Sequence, residues 1–183
     1  MRNSSLVRLA SRSARTGDLP AARTLEVLRA RGATLATAES LTGGRLASLV
    51  TAVPGASDVF RGGVVAYATD VKVEVLGVPV AVVERYGVVS PECASEMARA
   101  VRALMGATYG LSTTGVAGPD SQEGKPVGTV YVGLAGPDGS TAAVALELVG
   151  DRAAIQDRTC LEALDCLVRT VQGELPGEEP ALR

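Results

Sequence analysis

The chain has 183 residues, of which 46% are hydrophobic and 21% are charged, and its formal net charge is −2. These values fit one domain with a full hydrophobic core and exclude the basic excess typical of nucleic-acid or membrane binding. Because no apolar run reaches the roughly 18 residues of a membrane span, we expect a soluble, cytoplasmic protein with neither kind of partner.

The two ends of the chain differ in composition from the middle. Residues 1–17 contain four arginines, four serines and no acidic residue. Transit peptides share this composition, but we predict a disordered N-terminal extension. Residues 173–183 contain two glycines and two prolines, which predicts a loose C-terminal tail. The folded domain is therefore expected to span residues 18–172.

Between the two ends, hydrophobic runs alternate with helical stripes. We predict helices at 20–31, from about 42, at 70–76, at 80–86, from 91 and at 153–171, and strands at 34–38, 62–68, 108–114, 127–135 and 141–148. The clearest helix follows Ser90, a good N-cap, with Pro91 at the first helical position. This order of elements predicts an α/β fold, a single three-layer α/β/α domain with a mixed sheet.

The basic residues are almost all arginine. The chain has sixteen arginines, no histidine and only two lysines, Lys72 and Lys125. Arginine does not lose its proton at neutral pH, whereas a lysine with a lowered pKa can act as a base. Proton transfer would therefore fall to a lysine, a carboxylate, a tyrosine or a cysteine. Compositional drift toward arginine is an equally good explanation of the two lysines taken alone.

The cysteines give no sign of a metal or disulfide framework. Cys93, Cys160 and Cys166 form no C-x-x-C pair, and histidine ligands are absent. We predict reduced thiols that pack in the core, and no bound metal or other cofactor.

Ser40 lies where a predicted strand meets a predicted helix, just before Gly43 and Gly44. A serine at such a junction can be presented as a nucleophile, with backbone N–H groups nearby to stabilise an oxyanion. The structural alternative is that Ser40 or Thr42 only caps the helix.

Tyr67 and Lys72 follow the next strand. If Lys72 is partly removed from water, its pKa falls from about 10.4 toward neutrality, and it can take the proton of a serine hydroxyl. Tyr67 could position or relay that proton. Alternatively, Lys72 is a solvated charge beside Asp70 or Glu74, and Tyr67 lies at a sheet edge.

Two later segments could contact a ligand. Residues 112–120 cover the end of a predicted strand and the turn after it, where hydroxyl side chains are followed by glycines. Thr114 could therefore contact a phosphate or ribose. The spacing from Gly118 to Gly124 and a following strand exclude a Walker A loop. At residues 150–152, Asp151 suits a helix cap, whereas Arg152 opposes the helix dipole and indicates an anionic partner.

Five ordered segments closely resemble the CinA C-terminal domain family of nicotinamide-nucleotide amidohydrolases: TAESLTGG, GGVVAYATDVK, GVVSPECASEMA, TTGVAGPDSQEGKPVGTVYVG and VGDR. The resemblance covers residues 25–171. It departs from the family's common pattern at Leu41, at residues 66–70 and at residues 120–121. The domain that precedes this one in full-length CinA is not in the chain, which is expected to be a stand-alone NMN deamidase.

The resemblance implies an activity and roles for individual residues. The implied reaction is metal-free hydrolysis of nicotinamide mononucleotide to nicotinate mononucleotide and ammonia, in pyridine nucleotide recycling. Ser40 would be the nucleophile, and Tyr67 and Lys72 its proton-transfer partners. The resemblance assigns the remaining substrate and oxyanion groups to Thr42, Gly43, Gly44, Thr114, Gly115 and Arg152.

Two points stay open at this stage. The competing hypothesis is a catalytically silent nucleotide-binding or regulatory module, because a fold does not determine its function. The expected assembly is a homodimer, the commonest oligomer.

Overall fold

A computed structural model describes residues 5–8 and 20–173. Its strands are β1 (Ser5–Arg8), β2 (Leu35–Glu39), β3 (Phe60–Val65), β4 (Tyr109–Gly115), β5 (Thr129–Ala135) and β6 (Thr141–Glu147). They form one six-stranded sheet in the order β1-β6-β5-β4-β2-β3. Neighbouring strands are parallel except in the pairs β4/β5 and β5/β6.

The helices are α1 (Pro20–Ala30), α2 (Arg45–Thr51), α3 (Thr69–Glu74), α4 (Val80–Tyr86), α5 (Pro91–Met105) and α6 (Arg152–Gln172). They cover both faces of the sheet, so the central strands β2 and β4 are buried along nearly their whole length. On β2, Leu35 packs into one core with α1, α2 and α6, whereas Ala36 and Ala38 pack into the other with α5. The predicted three-layer α/β/α fold with a mixed sheet is therefore confirmed.

The largest differences from the sequence predictions lie at three places. Strand β3 ends at Val65 rather than at residue 68. Helix α2 begins at Arg45 rather than near residue 42, because Gly43 and Gly44 adopt positive φ angles of 59° and 97° in a turn. Ser5–Arg8, expected within a disordered extension, form strand β1 on the open edge of β6. The rest of that extension and the tail beyond residue 173 lie outside the described residues.

The start of α5 is as predicted. Ser90 Oγ accepts a hydrogen bond from the Cys93 N–H at 3.1 Å, and Pro91 occupies the first helical position. The helix packs closely on β4 and β5, and glycines at 110 and 133 allow this approach. A Cβ atom on Gly110 or Gly133 would overlap a carbonyl oxygen of α5. Within the described ranges, no helix has the length and hydropathy needed to cross a membrane.

The start of α2 is held by a buried carboxylate at the end of β2. The oxygens of Glu39 accept hydrogen bonds from the N–H groups of Gly44, Leu46 and Ala47 at 2.8–3.0 Å. They also accept one from Thr42 Oγ1 at 2.7 Å. Glu39, which is 1% exposed, therefore satisfies the first free N–H groups of the helix and fixes the turn between strand and helix.

We expect Glu39→Gln to lower the free energy of unfolding by about 1–3 kcal/mol, because the new amide NH₂ would face backbone N–H donors in a buried site. Urea denaturation followed by circular dichroism measures this change. Glu26→Gln, which alters an exposed carboxylate on α1, should leave the stability within about 0.5 kcal/mol. Equal stability of Glu39→Gln and the wild type would contradict the role given to Glu39.

Candidate active site

A cavity of about 220 Å³ lies at the carboxyl ends of β2 and β4. These ends meet at one edge because β2, β3 and β4 run parallel, and such edges are the usual ligand sites of α/β sheets. Six residues singled out from the sequence line the cavity: Ser40, Tyr67, Lys72, Thr114, Gly115 and Arg152.

Ser40 immediately follows β2 and is held by its backbone. Its N–H donates to the Thr113 carbonyl oxygen at 2.9 Å, which extends the pairing of β2 with β4. The carbonyl oxygen of the residue after Ser40, Leu41, accepts a hydrogen bond from Gln156 Nε2 at 2.6 Å. Since Glu39 supplies the cap of α2, Ser40 does not have the helix-capping role of the structural alternative, and its hydroxyl lines the cavity.

Lys72 is a buried amine in contact with Ser40. Its side chain is 1% exposed, and its Nζ lies 2.9 Å from Ser40 Oγ. The same nitrogen donates to the carbonyl oxygens of Ala66 at 2.7 Å and Tyr67 at 3.2 Å. Nζ also donates to Ser40 Oγ, so the three N–H groups of the ammonium match these three oxygens. In the neutral amine, two N–H groups can serve the carbonyls, and the lone pair then faces the Ser40 hydroxyl. Lys72 is therefore not the solvated charge of the structural alternative.

The surroundings of Lys72 favour its neutral form. Burial lowers its pKa from the ordinary lysine value of 10.5. A negative charge on Cys93, when that thiol is ionised, or on Glu123 opposes this effect. Burial also raises the pKa of the Cys93 thiol to about 11, so this thiol is neutral near pH 7 and does not offset the effect on Lys72. The resulting arrangement is that of a general base beside a hydroxyl nucleophile.

Tyr67 and Arg152 contact each other at the mouth of the cavity. The Tyr67 side chain is 56% exposed, and its hydroxyl oxygen accepts a hydrogen bond from Arg152 Nη2. Arg152 Nη1 donates to the Gly118 carbonyl oxygen at 2.8 Å. Tyr67 thus reaches Lys72 through its backbone carbonyl, whereas its hydroxyl is bonded to Arg152. The start of α6 is capped by Asp151, as predicted.

Thr42, Gly43 and Gly44 do not line the cavity, although they were assigned there with the oxyanion groups. The Thr42 hydroxyl is fully buried between Glu39 and Thr113. The Gly43 N–H donates to the Ser40 carbonyl oxygen, and the Gly44 N–H donates to Glu39. These three groups are already bonded within the turn, so an oxyanion would need other donors.

Two other N–H groups of the turn remain for that purpose. The N–H groups of Leu41 and Thr42 donate to no acceptor in the described part of the chain, and Leu41 lines the cavity. They follow Ser40 directly, which is where an oxyanion formed by attack of its hydroxyl would be stabilised. Thr114 lies opposite with its hydroxyl donating to the Val88 carbonyl oxygen at 2.6 Å.

Three supporting residues were missed in the sequence. Glu39 and Gln156 bind the backbone that follows Ser40, and Glu123 binds the backbone of Val88 and Val89. Only Glu39 gave a readable signal, since an acidic residue before a glycine-rich helix start suits the helix dipole.

Lys125 is not part of this cavity. It forms a tight backbone turn with Gln122 through paired hydrogen bonds of 2.9 and 3.1 Å. In the ranges that the structure describes, no group of three or more His, Cys, Asp or Glu side chains is placed to hold a metal ion.

Comparisons with known proteins agree with this architecture. A family model described as the CinA C-terminal domain matches residues 19–171. A CinA-like protein of Frankia casuarinae is 54% identical over 155 residues, which are 85% of this chain and 35% of that protein. The chain spans about a third of the length of such curated relatives.

Solved structures of the same superfamily superpose on most of the chain. A CinA superfamily protein from Klebsiella pneumoniae 700603 has a TM-score of 0.82 at 30% identity, covering 84% of this chain and 96% of that one. The competence damage-inducible protein A from Klebsiella pneumoniae subsp. pneumoniae has a TM-score of 0.81 at 32% identity, covering 84% and 95%. Together with the matched family model, these similarities show that the chain belongs to the CinA C-terminal domain family.

Proposed function

We propose that the protein hydrolyses the carboxamide of nicotinamide mononucleotide to nicotinate mononucleotide and ammonia, with Ser40 as nucleophile and Lys72 as general base. The observation that carries this proposal is the 2.9 Å contact between Lys72 Nζ and Ser40 Oγ in the cavity. The substrate comes from the resemblance of the sequence segments around these residues to nicotinamide-nucleotide amidohydrolases.

The first half of the reaction forms an ester. Ser40 Oγ attacks the carboxamide carbon while its proton passes to the neutral amine of Lys72. The N–H groups of Leu41 and Thr42 stabilise the negative oxygen of the tetrahedral intermediate. Lys72 then donates the proton to the leaving nitrogen, the C–N bond breaks, and ammonia departs.

The second half uses the same two side chains. A water molecule attacks the ester carbon while Lys72 accepts one of its protons. The bond to Ser40 Oγ breaks, and Lys72 returns the proton to that oxygen. The nicotinate product leaves, and Ser40 and Lys72 regain their starting states.

We propose that Arg152 binds the phosphate of the substrate. Two of its five N–H donors are bonded to Gly118 and Tyr67, which leaves three for an anionic ligand. The two bonds hold the guanidinium at the mouth of the cavity, where a charge-assisted, two-point contact with phosphate oxygens is geometrically favourable. This contact would also account for an arginine at the start of α6.

We expect Ser40→Ala to lower ammonia release from nicotinamide mononucleotide by at least about 10³-fold, because the nucleophile is removed. Substrate binding, measured by calorimetry, should stay within a few fold because little contact area is lost. Activity close to wild type would contradict the covalent mechanism. If the wild-type protein binds the nucleotide and releases no ammonia, the protein is instead a binding module.

Lys72→Arg and Lys72→Met should each lower kcat by about 10²-fold or more, since neither side chain can accept a proton at working pH. Lys72→Met keeps the buried volume without a charge, so it separates loss of the base from misfolding. In the wild type, kcat/KM should rise with pH through an apparent pKa below 10.5, because burial favours the neutral amine.

Lys125→Arg provides the matched control for these variants, and it should keep most of the activity. Robust turnover by Lys72→Arg together with collapse of Lys125→Arg would show that the wrong lysine has been assigned as the base.

Arg152→Ala should raise KM for nicotinamide mononucleotide by about 10- to 100-fold, the equivalent of the 1.5–3 kcal/mol of a hydrogen bond to a charged group. With nicotinamide riboside, which lacks the phosphate, the same variant should change KM only a few fold. Tyr67→Phe is the control, because it removes one partner of Arg152 and keeps the guanidinium. Equal losses with both substrates would rule out phosphate binding by Arg152.

A further inference from the structure

A second carboxylate binds backbone N–H groups next to the cavity. Glu123 lies in the β4–β5 loop, residues 116–128. Its two oxygens accept hydrogen bonds from the N–H groups of Val88 and Val89, each at 3.0 Å. Val88 and Val89 belong to the α4–α5 loop, residues 87–90, and both line the cavity. One side chain therefore joins two loops that form the wall of the site.

The backbone of both loops is shaped to allow this contact. Gly87 has a φ of +80°, and a Cβ atom there would overlap the Glu123 carboxylate. Glu123 itself has a φ of +52°, and it is the one non-glycine residue with positive φ in the described part of the chain. A non-glycine residue is unfavourable in this region because its Cβ crowds the following carbonyl oxygen. The side chain of Glu123 thus stands where glycine would fit the backbone better.

The peptide groups of this wall are held from two sides. The Val88 N–H binds Glu123, and the Val88 carbonyl oxygen accepts from the buried Thr114 hydroxyl at 2.6 Å. The Ser90 hydroxyl donates to the Gly87 carbonyl oxygen at 2.8 Å and caps α5. The α4–α5 loop is therefore fixed to β4, to the β4–β5 loop and to the start of α5.

Lys72 and this wall line the same cavity. The carboxylate of Glu123 and the sulfur of Cys93 on α5 are the groups whose negative charge raises the pKa of Lys72 against the effect of burial. Because the Cys93 thiol titrates only near pH 11, Glu123 supplies the charge that acts at neutral pH. Besides Lys72, the ionisable side chains that line the cavity are Tyr67, Asp120 and Arg152, whereas Glu123 and Cys93 lie behind this lining.

We propose that Glu123 is a positioning residue for the Ser40–Lys72 pair, which clamps the Val88–Val89 wall against the cavity and adjusts the field at the Lys72 amine. The inference rests on the proposed function for the identity of that pair. It assigns Glu123 no contact with substrate. Both actions come from a single carboxylate, so they can be separated by changing its charge or its length.

Three variants separate these actions. Glu123→Gln keeps the length and removes the charge, Glu123→Asp keeps the charge and is too short to reach both N–H groups, and Glu84→Gln removes an exposed charge on α4 as a matched control. Each is assayed for ammonia release and for covalent labelling of Ser40 by a fluorophosphonate, followed by intact mass at several pH values. Labelling forms an O–P bond, releases fluoride and requires only an activated serine.

We expect Glu123→Gln to lower both rates by roughly tenfold or more. In the pH–rate profile of this variant, the acidic limb, where protonation of Lys72 lowers the rate, should move to lower pH. The reason is that loss of the negative charge disfavours the ammonium form of Lys72. Glu123→Asp should lower the rates with the acidic limb near that of the wild type. Glu84→Gln should change neither quantity.

The inference is overturned if Glu123→Gln matches the wild type in both rates, or if its rates fall without any displacement of the acidic limb. The second result would mean that Glu123 only stabilises the fold. The proposed function fails separately, if the wild type labels at Ser40 but releases no ammonia from the nucleotide. In that case the pH dependence of labelling still decides the role of Glu123.

Discussion

The burial of one lysine amine is the constraint on which the site depends. An amine that is 1% exposed must satisfy its hydrogen-bonding groups inside the protein, or its burial costs several kcal/mol. None of the ion pairs among the described residues includes Lys72. Its partners are instead two carbonyls after β3 and the hydroxyl after β2. Three N–H groups of the ammonium match these oxygens, and in the neutral amine, which burial favours, the Ser40 hydroxyl is the partner that can give it a proton.

Carboxylates hold the rest of the site together without entering the proposed reaction. Glu39 binds the first N–H groups of α2, and Glu123 binds two N–H groups of the α4–α5 loop. Each carboxylate thereby fixes one wall of the cavity through the backbone. Glu39 takes up the first N–H groups of α2, whereas those of Leu41 and Thr42 have no acceptor among the described residues. A carboxylate suits this role because its two oxygens accept several N–H donors, whereas a hydroxyl oxygen accepts fewer.

Much of the fold was predictable because its signals are local. The cap at Ser90, the proline after it and the hydrophobic stripe of α5 all lie within one helix. The end of β3 was not predictable, since the carbonyls of Ala66 and Tyr67 turn toward Lys72 rather than continue a strand. The pairing of β1 with β6 was also hidden, because it joins segments more than 130 residues apart.

The sequence by itself determined which proton transfers are available. The absence of histidine leaves few bases, and Ser40 and Lys72 are the hydroxyl and amine that its segments single out. Only the tertiary structure decided that these two groups meet, that the Thr42 hydroxyl and the N–H groups of Gly43 and Gly44 already have partners, and that Glu123 binds the loop at Val88 and Val89. The physical reason is that residue type determines which side-chain groups can exchange a proton, whereas the pKa of each group and its hydrogen-bond partner depend on burial and distance. Those are set by the order of strands in the sheet, which brings residues 32 positions apart into contact.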